Sequence, residues 1–163
     1  MSMIPLDLSL PTQDAFYKAL SAANAKGLTL TPADIRASVP VADDSHADAN
    51  TRITLTPVPG STKVYGPADD FWYHRRSLTE LLVDLEFGET LPHSDVAAQW
   101  PEGNIDNVTL ATLNYKFESK FTADELIITE LVRDADHVEI EVAMRDGNLA
   151  LYGALTLIVT FLK

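Results

Sequence analysis

The chain of 163 residues contains no cysteine and few basic residues. Without cysteine, disulfide bonds and thiolate chemistry are both excluded. Twelve lysine and arginine residues stand against twenty-four acidic ones, which gives a formal net charge of −12. Phosphate binding draws most of its affinity from lysine and arginine. The composition therefore predicts a protein that binds neither nucleic acid nor an anionic membrane.

Long apolar runs are missing as well. The longest apolar stretch, residues 149–162, is interrupted by Tyr152, Gly153, Thr156 and Thr160, and it is too short to span a bilayer as a helix. The first residues lack the basic region and long apolar core of a signal peptide. An apolar fraction of 46% is typical of a globular protein. We therefore expect a soluble protein that is made in the cytoplasm.

What the chain does contain is an internal repeat, which decides how it is divided. The residues that align without a gap are Ile53 with Ile140, Leu55 with Val142, Gly60 with Gly147, and Tyr65-Gly66 with Tyr152-Gly153. Upstream, residues 30–35 have a looser counterpart in residues 121–126, with a small shift in register. The repeat predicts an α+β fold of two tandem modules, each with a helix packed on an antiparallel β-hairpin in a small sheet.

The pattern of start signals divides the chain into four segments. Residues 1–11 predict an extended arm, because Ile4, Leu6, Leu8 and Leu10 alternate with polar residues and proline as in a half-buried strand. Residues 12–76 form the first helix-hairpin module, 77–106 a capped helix with a linker insertion, and 107–163 the second module. The predicted N-caps of the three helices are Thr12, Ser77 (in a capping box with Glu80) and Asn107.

The end of the chain predicts a hairpin and a central strand. Asp146-Gly147 is a strong signal for a two-residue hairpin turn. Apolar residues alternate along the return strand from Leu155 to Phe161, and Ile158 with Thr160 occupies its other face. This pattern predicts a strand in the middle of the sheet that is covered on both sides.

The order of several short motifs resembles a family of virion structural proteins of large-genome tailed bacteriophages. The matching residues are Asn24, Leu30-Thr31, Asp34-Ile35, Asn50-Thr51, Ile53 to Thr56, Pro59-Gly60-Ser61, Tyr65-Gly66 and Tyr73-His74-Arg75. The resemblance covers most of the chain except residues 86–106, and it includes a second module that ends in an apolar strand. It implies a particle component without known chemistry, and it brings no catalytic, cofactor or metal residues.

Clusters of polar residues could form a metal site or a solvated surface. Asp43, Asp44 and Asp48, with His46, are the densest set of oxygen and nitrogen ligands and could hold calcium. The spacing does not fit a calcium loop and no glycine supplies the sharp turn, so an acidic surface loop is the favoured interpretation. The four histidines lack metal-ligand spacing.

The remaining candidate residues are those that could contact a partner protein or ligand. The arm residues Ile4, Leu6 and Leu8 suit strand exchange with a neighbour. Phe71-Trp72-Tyr73 places Trp72 on one strand face and its two neighbours on the other, which fits either core packing or a sugar platform. Further candidates for contacts with a partner are Arg75, Arg76 and Trp100.

These observations lead to a first hypothesis and an alternative. The first is a non-enzymatic virion component (head decoration, collar, tail or baseplate subunit), which is made in the cytoplasm of a bacterial host. It would form a homo-oligomer and contact other virion proteins, with no cofactor. The alternative is a carbohydrate- or receptor-binding module of a tail fibre, with a host glycan as ligand. An enzyme is the least favoured class, because no constellation of catalytic residues is present.

Overall fold

The computed structural model describes residues 7–24, 26–82, 90–92 and 102–162. The chain divides into two compact units. Unit 1 consists of Met1–Arg75 together with Asp146–Leu151, and unit 2 consists of Arg76–Arg145 together with Tyr152–Lys163. Both units combine helix with antiparallel sheet, which confirms the predicted α+β class.

In its described residues, unit 1 has one helix and a sheet built around a single central strand. The elements are α1 (Thr12–Ala23), β1 (Ile35–Ala37), β2 (Val41–Ala42), β3 (Thr51–Pro57) and β4 (Asp69–Tyr73). Strands β1 and β2 pair antiparallel with one side of β3, and β4 pairs antiparallel with the other. Because β1 and β2 lie along the same side of β3, they form one edge strand that residues 38–40 interrupt.

The core of unit 1 lies between α1 and the sheet. Phe16, Tyr17 and Leu20 project from α1 at helical spacing and pack with the buried Ile53 of the central strand. The ring of Phe16 lies 5.5 Å from that of Tyr73 on β4. This is the predicted arrangement of a helix face against a sheet face.

Residues 146–151 contribute to unit 1 although they follow most of unit 2 in the sequence. Leu149 packs against the core of unit 1, and its carbonyl accepts a 2.6 Å hydrogen bond from the Tyr73 hydroxyl. The Asn148 carbonyl accepts a 3.1 Å hydrogen bond from Arg75, and its side-chain amide donates to Thr12 Oγ1 at 2.7 Å. The turn predicted for the second module therefore completes the core of unit 1.

Two predictions about the start of the chain are wrong. Helix α1 begins at Thr12 itself with Pro11 at the N-cap, so the Thr12 side chain does not cap the helix. Residues 7–10 form a turn, closed by a 3.2 Å hydrogen bond from the Leu10 amide to the Asp7 carbonyl, where we expected an extended strand. Asp7 also pairs with Lys18 on α1, and this ion pair holds the turn against the helix.

Unit 2 has a four-stranded sheet with the order β6-β10-β8-β7. Its elements are α2 (Leu78–Leu82), β6 (Thr90–Pro92), α3 (Asp106–Lys116), β7 (Leu126–Arg133), β8 (His137–Met144) and β10 (Ala154–Leu162). Two short strands, β5 (Arg76–Ser77) and β9 (Leu151–Tyr152), lie where the sequence passes between the units. The β6–β10 pair is parallel and the other pairs of this sheet are antiparallel.

Predictions for unit 2 have mixed outcomes. The capping box is confirmed, because the Glu80 amide donates to Ser77 Oγ and the Ser77 amide donates to Glu80 Oε2. Strand β10 is central, as predicted, but it is covered on one face only, since Ile158 is 46% exposed. Helix α3 begins at Asp106 with Ile105 at the N-cap, so Asn107 is not the cap.

The two units end their long helices in the same way. In unit 1, Ser21 Oγ accepts the amide of the buried Leu30 at 2.7 Å, and in unit 2 Asn114 Oδ1 accepts the amide of the buried Phe121 at 2.7 Å. A turn follows in each unit. Thr31 donates its amide to the Asp34 carboxylate, and Thr122 donates its amide to the Glu125 carboxylate. Fewer residues lie between the helix and the turn in unit 2 than in unit 1. This difference explains why the two sequences align with a shift in register.

The strands after these turns pair in equivalent register. Ile35 lies opposite Pro57 in unit 1, and Leu126 lies opposite Met144 in unit 2. On the other side of the central strand, Ile53 lies opposite Phe71 and Ile140 lies opposite Leu157. Gly60 and Gly147, which align in sequence, both have φ of +88°. Each unit therefore contains a helix, a turn and three strands in the same order, one strand more than the predicted hairpin.

Candidate interaction surfaces

The aromatic residues of strand β4 point alternately to the two faces of the unit 1 sheet. Phe71 and Tyr73 face the core of unit 1, and Trp72 faces away from it. Burial raises the pKa of the Tyr73 hydroxyl well above its usual range. Since its hydroxyl and ring are both engaged within unit 1, Tyr73 is a core residue and does not present a surface for a partner.

Trp72 belongs to a polar cluster on the outer face of the unit 1 sheet. Its indole N–H donates to Asp43 Oδ2 at 3.2 Å, and its ring stacks on His46 with 4.0 Å between centroids. Arg52 lies 3.3 Å from Asp43 and 3.0 Å from Asp70. Hydrogen bonds from Ser45, followed by the one from Trp72, lower the pKa of Asp43 to about 2. One ring face and the N–H of Trp72 are therefore already in use.

The acidic loop, residues 43–48, contributes one carboxylate to this cluster. Asp43 is engaged with Ser45, Trp72 and Arg52, whereas Asp44 and Asp48 are exposed. Within residues 7–24, 26–82, 90–92 and 102–162, no group of three or more histidine and acidic side chains is arranged to hold a metal ion. The chemistry of the loop is that of a salt-bridged surface turn.

The other residues proposed for contacts are scattered. Arg75 is partly buried and donates to the Asn148 carbonyl, while Arg76 lies in β5. Leu8 is partly buried in the turn before α1. Ile4, Leu6 and Trp100 lie outside the described residues. The structure thus assembles Trp72 with the acidic loop and does not bring the remaining candidates together.

A groove on unit 1 was not predicted from the sequence. It has a volume of about 280 Å³ and is lined by Asn24, Lys26, Leu28, Leu30, Ile35, Lys63, Val64 and Tyr65. Lys63 reaches the Thr29 carbonyl and Asp34 Oδ2, each at 3.0 Å, and Val64 packs against the core. These contacts fix the loop, yet Tyr65 remains 85% exposed. The duplicated Tyr-Gly motif was the available signal for this site.

Unit 2 presents an open sheet face and a long edge strand. Alternation buries Val138, Ile140 and Val142 of β8 and turns Glu139 and Glu141 to the opposite face. The cross-strand register places three exposed apolar residues on that same face: Ile127 (45%), Val132 (41%) and Ile158 (46%). On the edge strand β7, Leu131 is 48% exposed at an irregularity in the register.

The chain is an α+β protein of two equivalent helix-on-sheet units. A family model covers residues 5–162, and the chain belongs to that family, DUF7941, a family of unknown function. No curated protein and no solved structure matches it. In the part of the chain that the structure describes, none of the helices has the length and apolarity needed to cross a membrane.

Proposed function

We propose that this protein is a non-enzymatic structural component of a tailed-bacteriophage virion that acts through protein–protein contacts. The order of the Leu-Thr-x-x-Asp-Ile, Pro-Gly-Ser and Tyr-Gly motifs supports this assignment. The two units give these motifs structural roles. Asp34 accepts the amide and hydroxyl of Thr31, and Gly60 occupies a left-handed conformation after β3.

The observation that carries the proposal is the edge strand β7. It runs for eight residues, Leu126–Arg133, and pairs with β8 on one side. Exposed apolar side chains along it are Ile127, Leu131 and Val132. No other described strand pairs with its free side, and an edge strand that carries exposed apolar side chains is suited to adding a strand from a neighbour. In unit 1 the equivalent edge is interrupted at residues 38–40, which include Pro40.

The proposed function is tested in virions of the phage that encodes the chain. Quantitative mass spectrometry of gradient-purified particles should find the protein in a fixed ratio to the major capsid protein. Localisation in a particle map would then distinguish head, collar, tail and baseplate positions. A protein present in infected-cell lysate but missing from particles would refute the proposal.

Glycan binding by a tail fibre receives less support. An aromatic platform binds a sugar through a free ring face, and one face of Trp72 is stacked on His46. Titration with host surface glycans, followed by tryptophan fluorescence, is the direct test. A saturable change that is lost in Trp72→Ala would favour the receptor-binding alternative over the structural role.

A further inference from the structure

We infer that the groove of unit 1 binds the open sheet face of unit 2 from a second copy of this chain, head to tail. This inference rests on the proposed structural function and names the surfaces through which copies would assemble. The groove surface consists of Lys26, Leu28, Lys63, Val64 and Tyr65. The sheet surface consists of Ile127, Val132, Glu141 and Ile158.

Charge is distributed unequally between the units. Unit 1 contains six lysine and arginine residues against nine acidic ones, a formal net charge of −3. Unit 2 contains six against fifteen, a formal net charge of −9. Contact between two copies of unit 2 would bring together the two most acidic surfaces. Net charge therefore disfavours the pairing of unit 2 with itself, and the individual side chains of the two surfaces select unit 2 as the partner of the groove.

Each of the two surfaces carries one charged side chain that is available to a partner. On the groove, Lys26 is exposed and makes no ion pair within the described residues, while Lys63 is neutralised by Asp34. On the sheet, Glu139 is engaged with His137 at 3.2 Å, whereas no hydrogen bond or ion pair of the Glu141 side chain occurs in the described part. Lys26 and Glu141 are therefore the opposite charges available for pairing.

Both surfaces also expose apolar side chains. Tyr65 is 85% exposed on a loop that Lys63 and Val64 fix in place, so little loop entropy remains to be lost on binding. Tyrosine is a frequent anchor of protein interfaces. Ile127, Val132 and Ile158 offer partly exposed aliphatic groups around the carboxylate of Glu141. An aromatic anchor on the groove, aliphatic groups on the sheet and one charge pair between them match the usual anatomy of an interface.

Charge reversal in the full-length protein tests this pairing. Sedimentation velocity over a wide range of concentrations should show self-association that weakens with added salt. Lys26→Glu and Glu141→Lys should each raise the dissociation constant by about tenfold or more, because each places like charges in contact. The double variant, and an equimolar mixture of the two single variants, should regain the wild-type constant within a few fold. Lys120→Glu, an equal change of charge on an exposed residue outside both surfaces, should leave it unchanged.

Tyr65→Ala supplies a test that does not depend on charge. It should weaken association by about tenfold or more, as expected for an interface anchor, with no change in the thermal midpoint of the protein. A wild-type chain that stays monomeric, or a double variant as weak as its parents, overturns the inference. Incorporation of the Lys26→Glu protein into particles at the wild-type ratio overturns it too, while leaving the structural function intact.

Discussion

Two buried threonines allow a matched test of how this fold treats polar groups. Thr109 on α3 and Thr51 on β3 are each 1% exposed. Thr51 Oγ1 donates to Asn50 Oδ1 at 2.9 Å, whereas Thr109 Oγ1 has no hydrogen-bond partner within the described residues. Valine has nearly the shape of threonine and lacks the hydroxyl. Thr109→Val and Thr51→Val therefore remove the same atom from two opposite situations.

The expected effects have opposite signs. A buried hydroxyl without a hydrogen bond costs about 1–3 kcal/mol, so its removal from Thr109 should stabilise unit 2 by about 1–2 kcal/mol. Threonine and valine have similar helix propensities, so the backbone contributes little. Thr51→Val should destabilise unit 1 by about 1 kcal/mol or less. The loss is moderate because Asn50 Oδ1 still accepts the Arg75 amide at 2.8 Å.

Urea unfolding followed by circular dichroism measures both changes. Thermal unfolding is a second measurement. A change of 1 kcal/mol in the free energy of unfolding moves the thermal midpoint of a chain of this size by about 2–4 °C, which a melting curve resolves. Trp72 lies in unit 1, so its fluorescence in a Trp100→Phe background reports that unit separately. Destabilisation by Thr109→Val would refute the reasoning. It would mean that the hydroxyl bonds the Ile105 carbonyl, which already accepts the Thr109 amide at 2.9 Å.

Three further predictions follow from turns, charge and chain connectivity. Gly60→Ala and Gly147→Ala should each cost about 1–2 kcal/mol in urea unfolding, because both glycines have φ of +88°; unequal costs would contradict the equivalence of the two turns. The pKa of Asp43 is lowered to about 2 in the folded protein, from an ordinary value of 3.8. Its stabilising effect is therefore complete above about pH 4 and is lost as the pH falls towards 2, so Asp43→Asn should flatten the acid limb of a plot of stability against pH. A fragment of residues 1–75 should lack a cooperative melting transition, and the same fragment extended by a glycine-serine linker and residues 146–151 should regain one; a folded short fragment would show that unit 1 does not need that turn.

The α+β class and the repeat were predictable because they depend on local signals. The Ser77–Glu80 capping box and the glycine turn at Gly147 each lie within a few residues of the sequence. Strand β7 was not predicted, because five apolar residues in Leu126–Arg133 follow no strict alternation. The irregularity between Glu130 and Val132 turns both Leu131 and Val132 towards solvent and removes the period.

The candidate sites were harder to predict because they depend on contacts between distant residues. The stack of His46 on Trp72 joins residues 26 positions apart in the sequence, and only the pairing of β2 and β4 with β3 brings them together. Thr12 is an attractive N-cap in sequence. In the structure its hydroxyl accepts the amide of Asn148, so a distant turn takes the oxygen that the local pattern assigned to the helix.

The position of residues 146–151 in unit 1 bears on how the two units differ. A duplicated module keeps the same buried positions, as Ile53 and Ile140 do at 1% and 0% exposure. The turns after these strands share their glycine conformation at Gly60 and Gly147. The second turn, in residues 146–151, nevertheless belongs to unit 1 and supplies Leu149 to the core of that unit. The two units also differ in formal net charge, −3 for unit 1 and −9 for unit 2. Two units that differ in this way present different faces, and different faces pair head to tail, whereas two identical faces pair symmetrically and close.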